Sequence, residues 1–359
     1  MSIMQMLLGA GGGGGGLSVG DVFSIDLTNG TQAIQTVTNG IDLAGEGGMV
    51  WSKARGTTTH FSIHDKTRGV NKFVWPDTDR EELDVSATTA HHTISAFNNN
   101  GFTLGADGGY ASINMNNTDN RYVHWTFREA PKFFDIVIWT GNSTSGVLNS
   151  RDIPHNLGCD PGMILVKNLT TFATDWMVWH HSVCTTNEEA LRMNSAAVMI
   201  EAGSLYADAY WERSTSVTPD MNSSTFSVGN SVKTNGLNTQ NYVAYLFAKD
   251  EDNIKCGKYT GSGAAGKSVT VGFKPQFLLI KRAIGGTGDW VFLDTTRGID
   301  STSGGLDKEL WCPTAEDEDG YDNYVTLTDD GFDVEMSSPS WDQYNKLGDE
   351  YIYVAIKEE

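Results

Sequence analysis

The sequence predicts an all-β fold: three tandem antiparallel β-sandwich-like repeats behind a Gly-rich N-terminal segment. Three observations predict it. Forty glycines against eight prolines imply many tight turns at which positive φ is needed. Apolar residues rich in Val, Ile, Phe, Tyr and Trp alternate over short stretches between Gly, Asn, Asp and Ser clusters, as half-buried strands do. A long motif also recurs. VGFKPQFLLIKRAIGGTGDWVFLDTTRG (271–298) matches LGCDPGMILVKNLTTFATDWMVWHHSV (157–183), with Pro161 and Pro275 each six residues before Lys167 and Lys281, and Trp176 and Trp290 nine residues further on. A diverged copy, GEGGMVWSKARGTTTHFSIHDKTRG (45–69), aligns Lys53 with those lysines and Phe61 with those tryptophans, and its HDKTRG matches LDTTRG.

The N-terminal segment, residues 1–21, holds six consecutive glycines and is too Gly-rich to join a core. Its Ile3, Met4, Met6, Leu7 and Leu8 would be poorly soluble if exposed, so it is expected to dock on a partner. No basic residue precedes its short apolar stretch, so it does not read as a signal peptide. No apolar run approaches the roughly 18–20 residues of a membrane-spanning helix. The three repeats follow at 22–129, 130–249 and 250–359, with EAPK and KDEDN as linkers. Each opens with a strand running into a Gly/Asn turn, at Phe23, Phe134 and Ile254. Each closes with a Tyr-led strand, at Tyr122, Tyr242 and Tyr351. Between these lie GFTLG, TFSVG and GFDVE at Gly101, Thr225 and Gly331. TNEEALRMNSAAVMIE has a helical capping-box pattern at Thr186 and Glu189. The repeat alignment places Pro76 and Pro313 at the position of Asn194, which favours a short strand and a variable loop.

Catalytic and metal motifs are not evident. Cys159, Cys184, Cys256 and Cys312 are scattered without C-x-x-C spacing and read as reduced thiols. His91–His92 and His180–His181 are adjacent pairs, which on a strand point to opposite faces. His60 and His64 would share a face but recur in no other repeat, so neither zinc nor any other cofactor is expected. Glu316, Asp317, Glu318, Asp319 and Asp322 could attract calcium but lack the spacing of a calcium-binding hand, and a solvated acidic loop is expected. Lys53, Lys167 and Lys281 read as outward-facing guards of edge strands. Trp176 and Trp290 read as core. Tyr206, Tyr210, Trp211, Trp341 and Tyr344 fall in variable loops and are the candidate receptor contacts. With 25 basic against 45 acidic residues and a net charge of −20, nucleic acid is not an expected partner.

The stretches TNGIDLAGEGGMVWSK, FDIVIWTGN, HNLGCDPGMILVKN, YVAYLFAKDEDNIKCGKYTGSG and VGFKPQFLLIKR resemble a repeat family of virion structural and tail-fibre proteins of bacteriophages, many of them marine. The resemblance covers the chain from about residue 22 to its end. It implies a virion component of tandem β-domains on the particle exterior and offers no catalytic residues. The expectation is a non-enzymatic tail-fibre or appendage subunit. Its N-terminal segment would dock on other virion proteins, and its loops would meet a host surface glycan or protein. It is expected to form a homo-oligomer, with a trimer possible. A capsid decoration protein is the alternative, and a polysaccharide-degrading tailspike a third.

Overall fold

The computed structural model describes residues 17–359 apart from 87–92, 107–114, 143–149, 202–209, 212–218, 301–305, 321–322 and 336–341. Ile3, Met4, Met6, Leu7 and Leu8 therefore lie outside the described residues, as do Tyr206, Trp341, Asp322, His91 and His92. A single 3-10 turn, Val19–Asp21, is the one helical element among those described, and every strand pairing is antiparallel.

The strand that opens each stretch pairs with the Tyr-led strand that closes it. Phe23–Asn29 pairs with Arg121–Arg128, Phe134–Thr140 with Asn241–Ala248, and Ile254–Thr260 with Glu350–Lys357. Each closing strand then pairs on its other side with a lysine-bearing strand: Gly48–Ala54, Pro161–Asn168 or Pro275–Ile284. The registers coincide, with Met49 opposite Phe127, Met163 opposite Phe247 and Phe277 opposite Ile356. The sheets continue through Ser62–Asp65, Met177–His180 and Trp290–Asp294. Smaller sheets cover one side. They comprise Gln35–Thr38, Gly101–Leu104 and Ile94–Asn98; then Arg151–Pro154 and Thr225–Val228; then Lys267–Thr270, Gly331–Val334 and Val325–Thr328. The capping-box segment is a strand, Glu189–Arg192, then a loop and the two-residue strand Ile200–Glu201 that pairs back on it. Glu189 still accepts from the Thr186 N–H at 2.8 Å, without a helix behind it.

The large sheets are buried on both faces. In the first, Val50 packs with Phe102 and Ile94 under the small sheet, while its neighbours Met49 and Trp51 enter a larger core. In the third, Leu278 and Ile280 join Val269 and Phe332, while Phe277 and Leu279 enter that same larger core. Phe127, Phe247 and Phe277 meet there, at ring separations of 5.6 and 6.1 Å from Phe127. The three stretches thus share one core. Gly162 lies where the second sheet meets the third, and a Cβ there would stand 2.5 Å from Cys256 Cβ.

Candidate functional site

The three lysines stand on central strands and are buried, not on edges facing out. Two-sided burial leaves an ammonium no route to water, so each must find acceptors in protein. Each finds them in the stretch next door. Lys53 donates to Ala315 O at 3.2 Å, Lys167 to Asp79 O at 3.1 Å, and Lys281 to Ala196 O and Ala197 O at 3.2 and 3.0 Å. Lys281 also reaches Arg282 O and Gly288 O, at 2.8 and 2.5 Å. Burial pulls Lys281 down to about 7 and Lys53 and Lys167 to about 8; Asp289, Asp77 and Asp79 respectively oppose it.

Beside the lysines the backbone closes the same seams. Glu82 N donates to Leu169 O, Met199 N to Ala283 O and Glu318 N to Arg55 O, at 3.1, 2.9 and 3.0 Å. Trp176 and Trp290 are core residues whose indole N–H groups also cross, to Trp75 O and Arg192 O at 2.8 and 2.9 Å. In the first stretch Phe61 takes that place, under the Lys53 ammonium at 5.5 Å.

The HDKTRG and LDTTRG motifs are buried ion pairs. Asp65 and Arg68 close at 2.5 Å, and Tyr245 donates to Asp65 at 2.8 Å. Asp294 and Arg297 close at 2.6 Å, Trp125 Nε1 donates to Asp294 at 2.9 Å, and the Arg297 guanidinium lies 5.2 Å over the Trp125 ring. The equivalent strand position in the second stretch is His180, which burial keeps neutral. The repeated Asp and Arg, three apart, are the sequence signal for these pairs; nothing local marks the carbonyls of Asp79, Ala196 or Ala315.

Several sequence expectations are corrected. Tyr210, Trp211 and Tyr344 are buried and cannot serve as exposed contact platforms. Trp211 Nε1 donates to Glu189 O at 2.8 Å, and Tyr344 donates to the buried Glu309 while stacking on Tyr324 at 5.3 Å. Their loops fold back into the core because large aromatics gain most from leaving water. The acidic loop is not wholly solvated: Glu316 and Asp317 are exposed, but Glu318 makes a bidentate pair with Arg55, both bonds 2.8 Å. The His180 and His181 rings stack at 5.1 Å instead of facing apart, because the strand ends at His180. His60 pairs with Asp77, and burial pushes His64 down to about 3. Among the described residues, no three His, Cys, Asp or Glu side chains gather as a metal site. The four cysteines are free, and burial pushes Cys159 and Cys184 up to about 11 and about 12.

The opening strands have two unlike ends. At one, Asn253 Nδ2 donates to Leu17 O at 2.8 Å and Lys357 N to Asn253 O at 3.0 Å, and a cleft is lined by Leu17, Pro131 and Asp252. At the other, each opening strand ends in a turn clamped by an asparagine. Asn116 Oδ1 accepts from Thr31 N, Asn235 Oδ1 from Asn142 N, and Asn345 Oδ1 from Ser262 N, at 2.8, 3.2 and 2.7 Å. Residues 18–359 match the family described as "Domain of unknown function (DUF7483)". The chain belongs to that family. No curated protein and no solved structure matches it. The family match runs unbroken through all three lysine seams.

Proposed function

We propose that this DUF7483 chain is a non-enzymatic structural protein of a bacteriophage virion, a tail-fibre or appendage subunit for host attachment. In this reading it consists of three copies of one antiparallel sandwich module, at 22–129, 130–249 and 250–359, closed into a ring. The ring is supported by the direction of its contacts: the first module reaches the third through Lys53, the third the second through Lys281, and the second the first through Lys167. Such closure suits a compact head or tip more than an extended shaft.

The observation that carries the functional reading is the polarity of the molecule. The N-terminal approach, both linkers and the C-terminal strand gather at one end, near Leu17, Ala130–Phe133 and Asp250–Asn253. That end is suited to anchoring on other virion proteins, directly or through residues 1–16. The opposite end presents the asparagine-clamped turns, with Ile34, Leu237 and Leu347 exposed beside them. An attachment subunit needs this separation of anchor and presented loops. Cryo-electron microscopy of particles with this chain labelled tests it. Label on tail appendages is the expected result; label spread over the head would overturn the reading and make shell stabilisation the role to pursue.

A further inference from the structure

The three seams are built alike but filled differently. Where the third stretch meets the first, Arg55 extends across the seam and is held at Nε and Nη2 by Glu318. Where the first meets the second, the residue equivalent to Arg55 is Leu169 and the carboxylate equivalent to Glu318 is Glu82. Leu169 cannot span the gap or pair with the carboxylate. A cleft of about 440 Å³ opens there, lined from one side by Lys72 and Glu82 and from the other by Ile138, Thr140, Thr170 and Asn241. That volume lies within the roughly 300–1,000 Å³ span of small-molecule sites.

The chemistry of the walls restricts what would fill the cleft. Glu82 accepts from Arg68 Nη1 at 3.1 Å and stands 3.7 Å from the half-exposed Lys72 ammonium. Arg68 is already matched by Asp65, and Lys72 also stands 4.0 Å from Asp84, so each cation on the walls already has a carboxylate beside it and the cleft favours no strongly ionic ligand. Thr140 Oγ1 donates to Asn241 Oδ1 at 2.9 Å, and Thr170 Oγ1 accepts from Asn241 N at 2.9 Å. The Asn241 amide hydrogens and the threonine oxygens then supply short-range donors and acceptors. Ile138, 53% exposed toward the end of its strand, supplies an apolar patch. At its equivalent position in the third stretch stands Lys258, paired with Glu350 at 2.9 Å.

We propose that this cleft binds an uncharged polyhydroxylated ring, a hexopyranose unit of a larger glycan. The C–H face of the ring would lie on Ile138, and its hydroxyls would meet Lys72, Glu82, Thr170 and Asn241. As a receptor subsite it rests on the attachment reading, although the binding itself does not.

Saturation-transfer NMR on the full chain, with methyl α-glucoside, methyl β-galactoside and N-acetylglucosamine as probes, tests the site. At least one probe is expected to bind in the millimolar range. Ile138→Asp, at an exposed position, and Lys72→Ala, at a half-exposed one outside the hydrophobic core, are expected to weaken that binding at least tenfold. Absence of a signal from all three probes, or a signal unchanged in both variants, would overturn the proposal. Virion location is measured separately. A head-located protein that still binds sugar would sink the attachment reading alone, and a tail-located protein that binds none would sink the cleft alone.

Discussion

Lys281 gathers four carbonyl oxygens around one ammonium, two of them from the neighbouring stretch. Carbonyl acceptors around an ammonium favour its charged form, while burial opposes it and pulls the group down to about 7. Replacing it by methionine keeps the volume but orphans those carbonyls, each costing of the order of 1 kcal/mol or more. Lys281→Met is therefore expected to lower stability by about 2–4 kcal/mol in urea titrations, and by more than Lys53→Met, whose ammonium has two carbonyl acceptors. A second residue gives a pH signature. Glu309 is pushed up to about 7 by burial, against the Tyr344 hydrogen bond that lowers it. A carboxyl raised above its unfolded value contributes stability that is complete below about pH 4 and lost as pH rises through about 7. Relative to Glu309→Gln, the parent protein is expected to lose urea resistance steadily from about pH 4.5 to about 7 and to level off above it. A difference that stays flat over that window would mean that Glu309 does not titrate there.

At the scale of elements, the Arg55–Glu318 bridge is the most specific tie between the strand Gly48–Ala54 and the loop after Leu310–Cys312. Both side chains are nearly buried and the fork is bidentate, so the pair should exceed the usual surface value. A double-mutant cycle over Arg55→Ala and Glu318→Ala is expected to return about 1–2 kcal/mol of coupling; additive effects would reduce the bridge to a bystander. The strands themselves are legible in the sequence. The openings at Phe23, Phe134 and Ile254 and the Tyr-led closings at Tyr122, Tyr242 and Tyr351 are paired strands, and Pro76, Pro313 and Asn194 rightly mark an end. What each strand faces is less legible. MILV at 163–166 and FLLI at 277–280 are continuous apolar runs, the mark of a strand buried on both sides, and they end in Lys167 and Lys281. With one face taken as solvated, those lysines read as edge guards. With both faces buried they must cross a seam. The loop aromatics failed for a related reason: sequence variability places Trp211 and Tyr344 in loops, but only tertiary packing shows those loops turned inward.

For the whole molecule, the shared core decides how the chain unfolds. In an open repeat array each unit touches only its neighbours, and the ends can fray. Here Phe23 and Phe127 from the first stretch, Phe247 from the second and Phe277 from the third form one continuous aromatic cluster. The lysine contacts close the circuit, so no stretch is terminal. Removing any one exposes the inner face of the other two and leaves a buried lysine without its carbonyls. Calorimetry and urea titration of the full chain are therefore expected to show one transition, coincident by tryptophan fluorescence and by far-ultraviolet circular dichroism. A fragment of residues 130–249 should fail to fold, since Tyr245, Trp176 and Phe247 would lose their partners Asp65, Trp75 and Phe127. Separate transitions, or a fragment with dispersed amide resonances, would show that the stretches are autonomous. The ring contacts would then be docking between finished domains, not part of one folding unit.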